Sequence, residues 1–175
     1  LFQGEEVSIT PTNPGPVVDT WSADPPLPAG LQFMENGTIQ GTPANRHDWT
    51  FHSLWANNSG GSTSTTLNIT INDVPPNTIV YSAHDLTLEK GTAMTTITPF
   101  IGGGNVTLWA ISPSIPNGLS FSSTTGAISG TPSVLQTSSV TYTIWANNSG
   151  GSTSAAITIT INDEAPGPFE YIPEN

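Results

Sequence analysis

Short runs of alternating apolar and polar residues recur along the chain, and the same runs occur twice. Val140, Tyr142, Ile144 and Ala146 alternate with Thr141, Thr143 and Trp145. Ile157, Ile159 and Ile161 alternate with Thr158 and Thr160, and Leu67, Ile69 and Ile71 repeat that pattern earlier. A period of two carried by β-branched residues predicts strands with one buried face. Between the paired runs lies Asn-Asn-Ser-Gly-Gly-Ser, whose glycines suit a hairpin loop. Asn36-Gly37 and Asn117-Gly118 mark further turns. Helical periodicity is missing throughout, so the chain reads as all-β.

The repetition is literal in places. Trp55 to Ser64 recurs unchanged as Trp145 to Ser154, and Ile71-Asn72-Asp73 recurs as Ile161-Asn162-Asp163. Leu27-Pro-Ala-Gly-Leu-Gln-Phe33 matches Ile115-Pro-Asn-Gly-Leu-Ser-Phe121, and Gly37-Thr-Ile-Gln-Gly-Thr-Pro43 matches Gly126-Ala-Ile-Ser-Gly-Thr-Pro132. Trp21 matches Trp109 in the same way. The offset drifts from 88 to 90 residues, which implies two single-residue insertions in the second copy's loops. Repeats of this length with frequent turns indicate two tandem immunoglobulin-like antiparallel β-sandwiches.

The order Pro-x-Gly-Leu-x-Phe, Gly-x-Ile-x-Gly-Thr-Pro, a strand ending in Ala-Asn, a Gly-rich hairpin and Ile-Thr-Ile resembles the He_PIG (putative immunoglobulin) repeat, which is related to dystroglycan-type cadherin-like domains. That resemblance covers nearly all of residues 6–163. It implies an extracellular, non-catalytic repeat of a long surface protein.

The expected division is 5–73 for the first repeat, 74–77 for a linker and 78–163 for the second repeat. Residues 1–4 read as the remnant of a cleaved tag and are set aside from the fold. The tail 164–175 resembles the opening strand of a further repeat. Tyr171 falls 90 residues after Tyr81, and Phe169 matches Ile79. The first repeat, by contrast, has no counterpart of Ile79-Val80-Tyr81. An unpaired sheet edge invites strand addition, so Phe169 and Tyr171 are candidates for head-to-tail strand exchange.

Composition narrows the partners. Thirteen acids face only Arg46 and Lys90, a net charge of -11, and cysteine is absent. Polyanion binding needs clustered cations, so nucleic acid is excluded. Disulfides and thiol chemistry are excluded as well. No Gly-x-Ser-x-Gly elbow is present, and no catalytic residue is expected. His52 aligns with Tyr142 on the inward face and reads as structural, whereas His47 and His84 read as solvated.

Three further groups of residues remain as candidates. Asp73 ends the first repeat in Asn-Asp. In the cadherin-type relatives a comparable element helps bind calcium, so Asp73 with Asp85 is the candidate metal pair and calcium the candidate ion. Calcium needs six to eight oxygen ligands, and an Asx turn closing the strand competes with that reading. Trp55 and Trp145 alternate with aliphatic neighbours and are expected to face outward, where they would stack on a glycan or anchor a protein. Five Asn-x-Ser/Thr sequons occur at Asn36, Asn57, Asn68, Asn105 and Asn147, with the two hairpin asparagines, Asn57 and Asn147, as the expected glycosylation sites. The reading is a structural spacer or stalk of a cell-surface protein, partnered by neighbouring repeats. Its alternative is an adhesion module, calcium-dependent or self-associating.

Overall fold

The computed structural model describes residues 1–12 and 15–171. The chain divides into two compact units between Pro75 and Pro76. The first contains β1 (Val7–Ile9), β2 (Thr20–Asp24), β3 (Leu31–Phe33), β4 (Ile39–Gly41), β5 (His47–Asn58) and β6 (Gly61–Ile71). These form two three-stranded sheets, ordered β1-β4-β3 and β2-β5-β6. The second unit contains β7 (Pro76–Val80), β8 (Asp85–Glu89), β9 (Met94–Ile97), β10 (Phe100–Gly103), β11 (Leu108–Ser112), β12 (Leu119–Phe121), β13 (Ile128–Gly130), β14 (Gln136–Asn148) and β15 (Gly151–Asn162). One of its layers is β11-β14-β15-β8, and the other is made of β12-β13-β9 and the pair β10-β7.

Alternation along the long strands fixes which side is buried. In β14 and β15, Tyr142, Ile144, Ala146, Ile157, Ile159 and Ile161 turn inward and are at most 2% exposed. They pack with Ile79, Ile97, Leu119 and Ile128 from the opposite layer and with Trp109 from β11 of their own layer. Apolar area removed from water on both inner faces is what holds the two layers together. All pairings in the described ladders are antiparallel except β8, which runs parallel to β15 from Asp85 opposite Thr158 to Glu89 opposite Asn162. The Thr158 hydroxyl donates to the Asp85 carboxylate at that strand's start, 2.5 Å away.

The repeated motifs have a steric cause. Gly118 and Gly130 face each other across the β12–β13 pair at φ of +90° and +119°, and a Cβ on either would overlap backbone of the other's segment. Gly30 and Gly41 repeat the arrangement in the first unit. Thr131 N–H donates to Gly118 O, and Ser133 N–H to Asn117 O, across the same close approach. The Pro-x-Gly-Leu and Gly-Thr-Pro elements are therefore two halves of one contact.

Three expectations about boundaries change. Leu1–Gly4, set aside as a remnant, are paired into the first unit. Phe2 forms a parallel bridge with Asn72. Gln3 N–H donates to Asn72 O, and Gly4 N–H to Pro43 O. Lys90 N–H to Asn162 O and Gly91 N–H to Pro132 O are the same bonds in the second unit. Residues 1–4 thus occupy the place of the end of β8, because main-chain pairing asks only for a free donor and acceptor, not for particular side chains. The linker 74–77 is also shorter than expected, since β7 begins at Pro76. A proline is tolerated there because it is the first residue of its strand. Finally, β5 starts at His47, whose Nε2 is buried, so this histidine is not a solvated loop residue.

Tyr81 closes the second unit's core. Its hydroxyl donates to Gly126 O at 2.6 Å, and the side chain is 2% exposed. Burial pushes the phenol above its usual range. The folded unit therefore keeps a proton that the unfolded chain loses above about pH 10. The stability contributed is complete below that pH and falls as pH rises through the folded value. Denaturation of the chain at pH 9 and pH 11 is expected to show this loss, and Tyr81→Phe is expected to remove it while costing about 1–2 kcal/mol at neutral pH.

Candidate functional site

Outward-facing residues of the β2-β5-β6 sheet form the most distinctive surface of the first unit. In β5 the inward set includes His52, Leu54 and Ala56. His52 is 0% exposed, as expected of a structural histidine. Its Nδ1 lies 2.8 Å from Pro25 O, and a carbonyl only accepts, so Nδ1 carries the proton. The alternate set contains Trp49, Phe51, Ser53 and Trp55. Trp49 is 60% exposed, Phe51 54% and Trp55 39%. The Trp49 and Phe51 rings meet edge to face with centroids 4.4 Å apart.

Cross-strand neighbours rim this aromatic stripe. Phe51 lies opposite Asn68, Ser53 opposite Thr66 and Trp55 opposite Ser64 on β6. Ser22 of β2 lies opposite Trp55 on the other side. The rim is hydroxyl and amide, with Asp24 the one acid among the residues opposite Ser53. In the second unit the matching positions are Ser139, Thr141 and Trp145. Trp145 is half-buried beside buried Ile144 and Ala146. Both repeated tryptophans thus alternate with inward residues, but only the first unit adds a second and third ring. Trp49 and Phe51 were missed on the sequence, although the step of two from Trp55 through Ser53 would have placed them on its face.

The remaining candidates fall as follows. Asp73 follows β6 in the first unit and Asp85 opens β8 in the second, where Thr158 occupies its carboxylate. Among the described residues, no three acids or histidines gather into a metal-binding group. Of the sequons, Asn57 and Asn147 are the next-to-last residues of β5 and β14 and are half-buried, and the Asn147 amide donates to Leu108 O at 3.2 Å. Asn36, Asn68 and Asn105 are the exposed ones. In the first hairpin the turn itself is Ser59-Gly60, and Asn57 lies inside the ladder opposite Ser62. In the tail, Phe169 and Tyr171 are 78% and 91% exposed, with their rings 5.8 Å apart. Ile172, which continues that segment, lies outside the described residues.

Two β-sandwich units with repeated hairpins and outward aromatics define the class: tandem immunoglobulin-like domains. The He_PIG family, described as "Putative Ig domain", matches residues 3–72 and 75–162, and the chain belongs to it. No curated protein matches. Among solved structures, an I-band fragment from titin is similar at 18% identity and a TM-score of 0.40, covering 93% of this chain and 62% of that one. Drosophila OTK extracellular domains 3–5 are similar at 15% identity and a TM-score of 0.48, covering 91% and 57%. The N-terminal four Ig domains of Dscam1 isoform 8.4 are similar at 15% identity and a TM-score of 0.44, covering 93% and 42%. The chain therefore spans 62% or less of the length of these three structures.

Proposed function

We propose that this chain is a non-catalytic segment of an extracellular surface protein, with a plain spacer as its second repeat and an adhesive face on its first. The observation that carries the reading is the asymmetry of the two outer faces. One sequence pattern built both sandwiches, yet Trp49 and Phe51 stand where the second copy has Ser139 and Thr141. Exposed aromatic side chains cost solubility, and a contiguous group of them marks a contact surface. Surface display is supported by the family's usual setting and by an acidic, cysteine-free composition. The Asn-Asp ends of the two repeats are what supports a cadherin-type kinship.

The rim decides the partner. Ser22, Ser64 and Thr66, with Asp24 the one acid beside them, offer hydroxyl donors and acceptors around flat apolar rings, which suits the hydroxyls and the C–H face of a neutral glycan. The test is electrophoresis of the chain through gels containing neutral polysaccharides. Retardation is expected for the wild type, with Trp49→Ala weakening the affinity about tenfold or more, as removal of a central aromatic anchor does. If every polysaccharide leaves the mobility unchanged, the glycan reading falls. If retardation survives Trp49→Ala and Phe51→Ala, the stripe is not the binding face.

A further inference from the structure

The first unit holds an open groove at the place where the second unit buries its own first strand. The groove is a cavity of about 200 Å³ lined by Trp21, Phe33, Gly37, Leu54, Ala56 and Thr65, among others. That is smaller than the roughly 300–1,000 Å³ of small-molecule sites, and of a size for one or two large side chains. The matching residues of the second unit are Trp109, Phe121, Gly126, Ile144, Ala146 and Ala155. There the space is occupied. Ile79 and Tyr81 belong to the same core cluster as Trp109, Ile144 and Ala146, with Phe121 and Ala155 packed against it. Tyr81 reaches the Gly126 carbonyl.

Burial records the difference. Ile144 and Ala146 are 0% exposed, whereas Leu54 and Ala56 are only half-buried. Trp109 is 5% exposed, whereas Trp21 is half-buried. Trp21 still stacks on Phe33 at 6.3 Å, and Gly37 is the sequence match of Gly126, whose carbonyl receives the tyrosine. A Cβ at Gly37 would strike the Trp21 ring, just as one at Gly126 would strike the Trp109 ring. The two grooves share one design, and among the described residues nothing fills the first as Ile79 and Tyr81 fill the second.

A strand with the matching sequence exists in the same chain. After Ile161-Asn162-Asp163 the tail runs Pro166, Phe169, Tyr171, each 90 residues beyond Pro76, Ile79 and Tyr81. Residues 163–171 carry no strand and are exposed, including both rings. Phe169 and Tyr171 are two apart, so in an extended chain they share a face, as Ile79 and Tyr81 do when they enter the core.

We infer that the tail of one molecule docks into the first unit's groove on a second copy, with Phe169 and Tyr171 taking the places of Ile79 and Tyr81. The Tyr171 hydroxyl then donates to Gly37 O. Because the donor and acceptor surfaces differ, the contact is heterologous, and its repetition makes an open chain. The driving force is burial of two aromatic side chains and of the half-exposed Trp21, Leu54 and Ala56.

The test is complementation between two full-length variants, followed by sedimentation velocity over a range of concentrations. One variant has a blocked groove, Thr65→Trp, placed on an exposed residue at the groove's rim. The other has a disabled tail, Phe169→Asp with Tyr171→Asp, on residues that support no folded element. The wild type is expected to form species that lengthen with concentration. Each variant alone is expected to stay monomeric, and their equimolar mixture to stop at a 1:1 dimer. Tyr171→Phe, which keeps the ring and loses the hydroxyl, is expected to weaken association several-fold. The tail variants keep the test sound if Thr65→Trp disturbs the fold, which circular dichroism would show. A wild type that remains monomeric at millimolar concentration overturns the inference. So does self-association that survives the disabled tail.

Discussion

Gly130→Ala is expected to bring the second repeat to the edge of unfolding. Gly130 sits at φ +119°, a backbone region that residues with a Cβ rarely adopt. An added methyl would overlap the Gly118 carbonyl oxygen and come 3.0 Å from the Leu119 Cα, both of them backbone that no rotamer change can move aside. Strained dihedrals cost about 1–3 kcal/mol and overpacking a similar amount. A loss on the order of 4 kcal/mol is therefore expected, against a total of roughly 5–15 kcal/mol for a single domain. Urea denaturation followed through tryptophan fluorescence, to which buried Trp109 contributes, is the measurement. Gly167→Ala is the control, because its Cβ meets nothing within 4 Å, and it is expected to leave the midpoint where it was. An unshifted midpoint for Gly130→Ala would mean that the two facing glycines are not needed for the close approach.

That contact also explains why so much of the fold was legible. Paired glycines, a glycine under each core tryptophan and period-two strands are all local demands that leave residue types behind. The two sandwiches, the hairpins and the inward histidine His52 followed from them. What could not be read depended on pairing rather than identity. Leu1–Gly4 join the first unit because a parallel partner, Asn72, offers free backbone groups, and their side chains give no sign of it. The early start of β7 is hidden by two prolines, which read as linker until one of them turns out to be the first residue of a strand. The aromatic stripe was legible but unread: Trp49 and Phe51 share the parity of Trp55, so the outward face extended further along β5 than the repeated tryptophan alone suggested. The setting of the hairpin sequons was hidden for a different reason. A repeated sequence promised a loop, but the two-residue turn is so tight that Asn57 and Asn147 remain inside their ladders.

The open groove has a thermodynamic signature that separates the two repeats. Ile144→Ala removes a side chain that is 0% exposed within the second unit's cluster. The lost transfer free energy and the cavity left behind together cost about 2–5 kcal/mol. Leu54→Ala is the matching change in the first unit, where the side chain borders the open groove and is only half-buried. Part of its transfer free energy was never gained, and water already reaches the space that truncation would enlarge. A cost of about 1 kcal/mol is expected there. The same pair of substitutions can be compared by thermal denaturation at low and high protein concentration. At low concentration Ile144→Ala should lower the melting temperature several times more than Leu54→Ala. As concentration rises, the wild type's first transition should move upward, because a docked tail binds only the folded groove and stabilises it by mass action. Leu54→Ala should blunt that rise, since it removes part of the wall against which Tyr171 packs, whereas Ile144→Ala should leave it intact. If both substitutions cost the same at every concentration, the groove is no less filled than the core it resembles, and the asymmetry between the repeats carries no energetic weight.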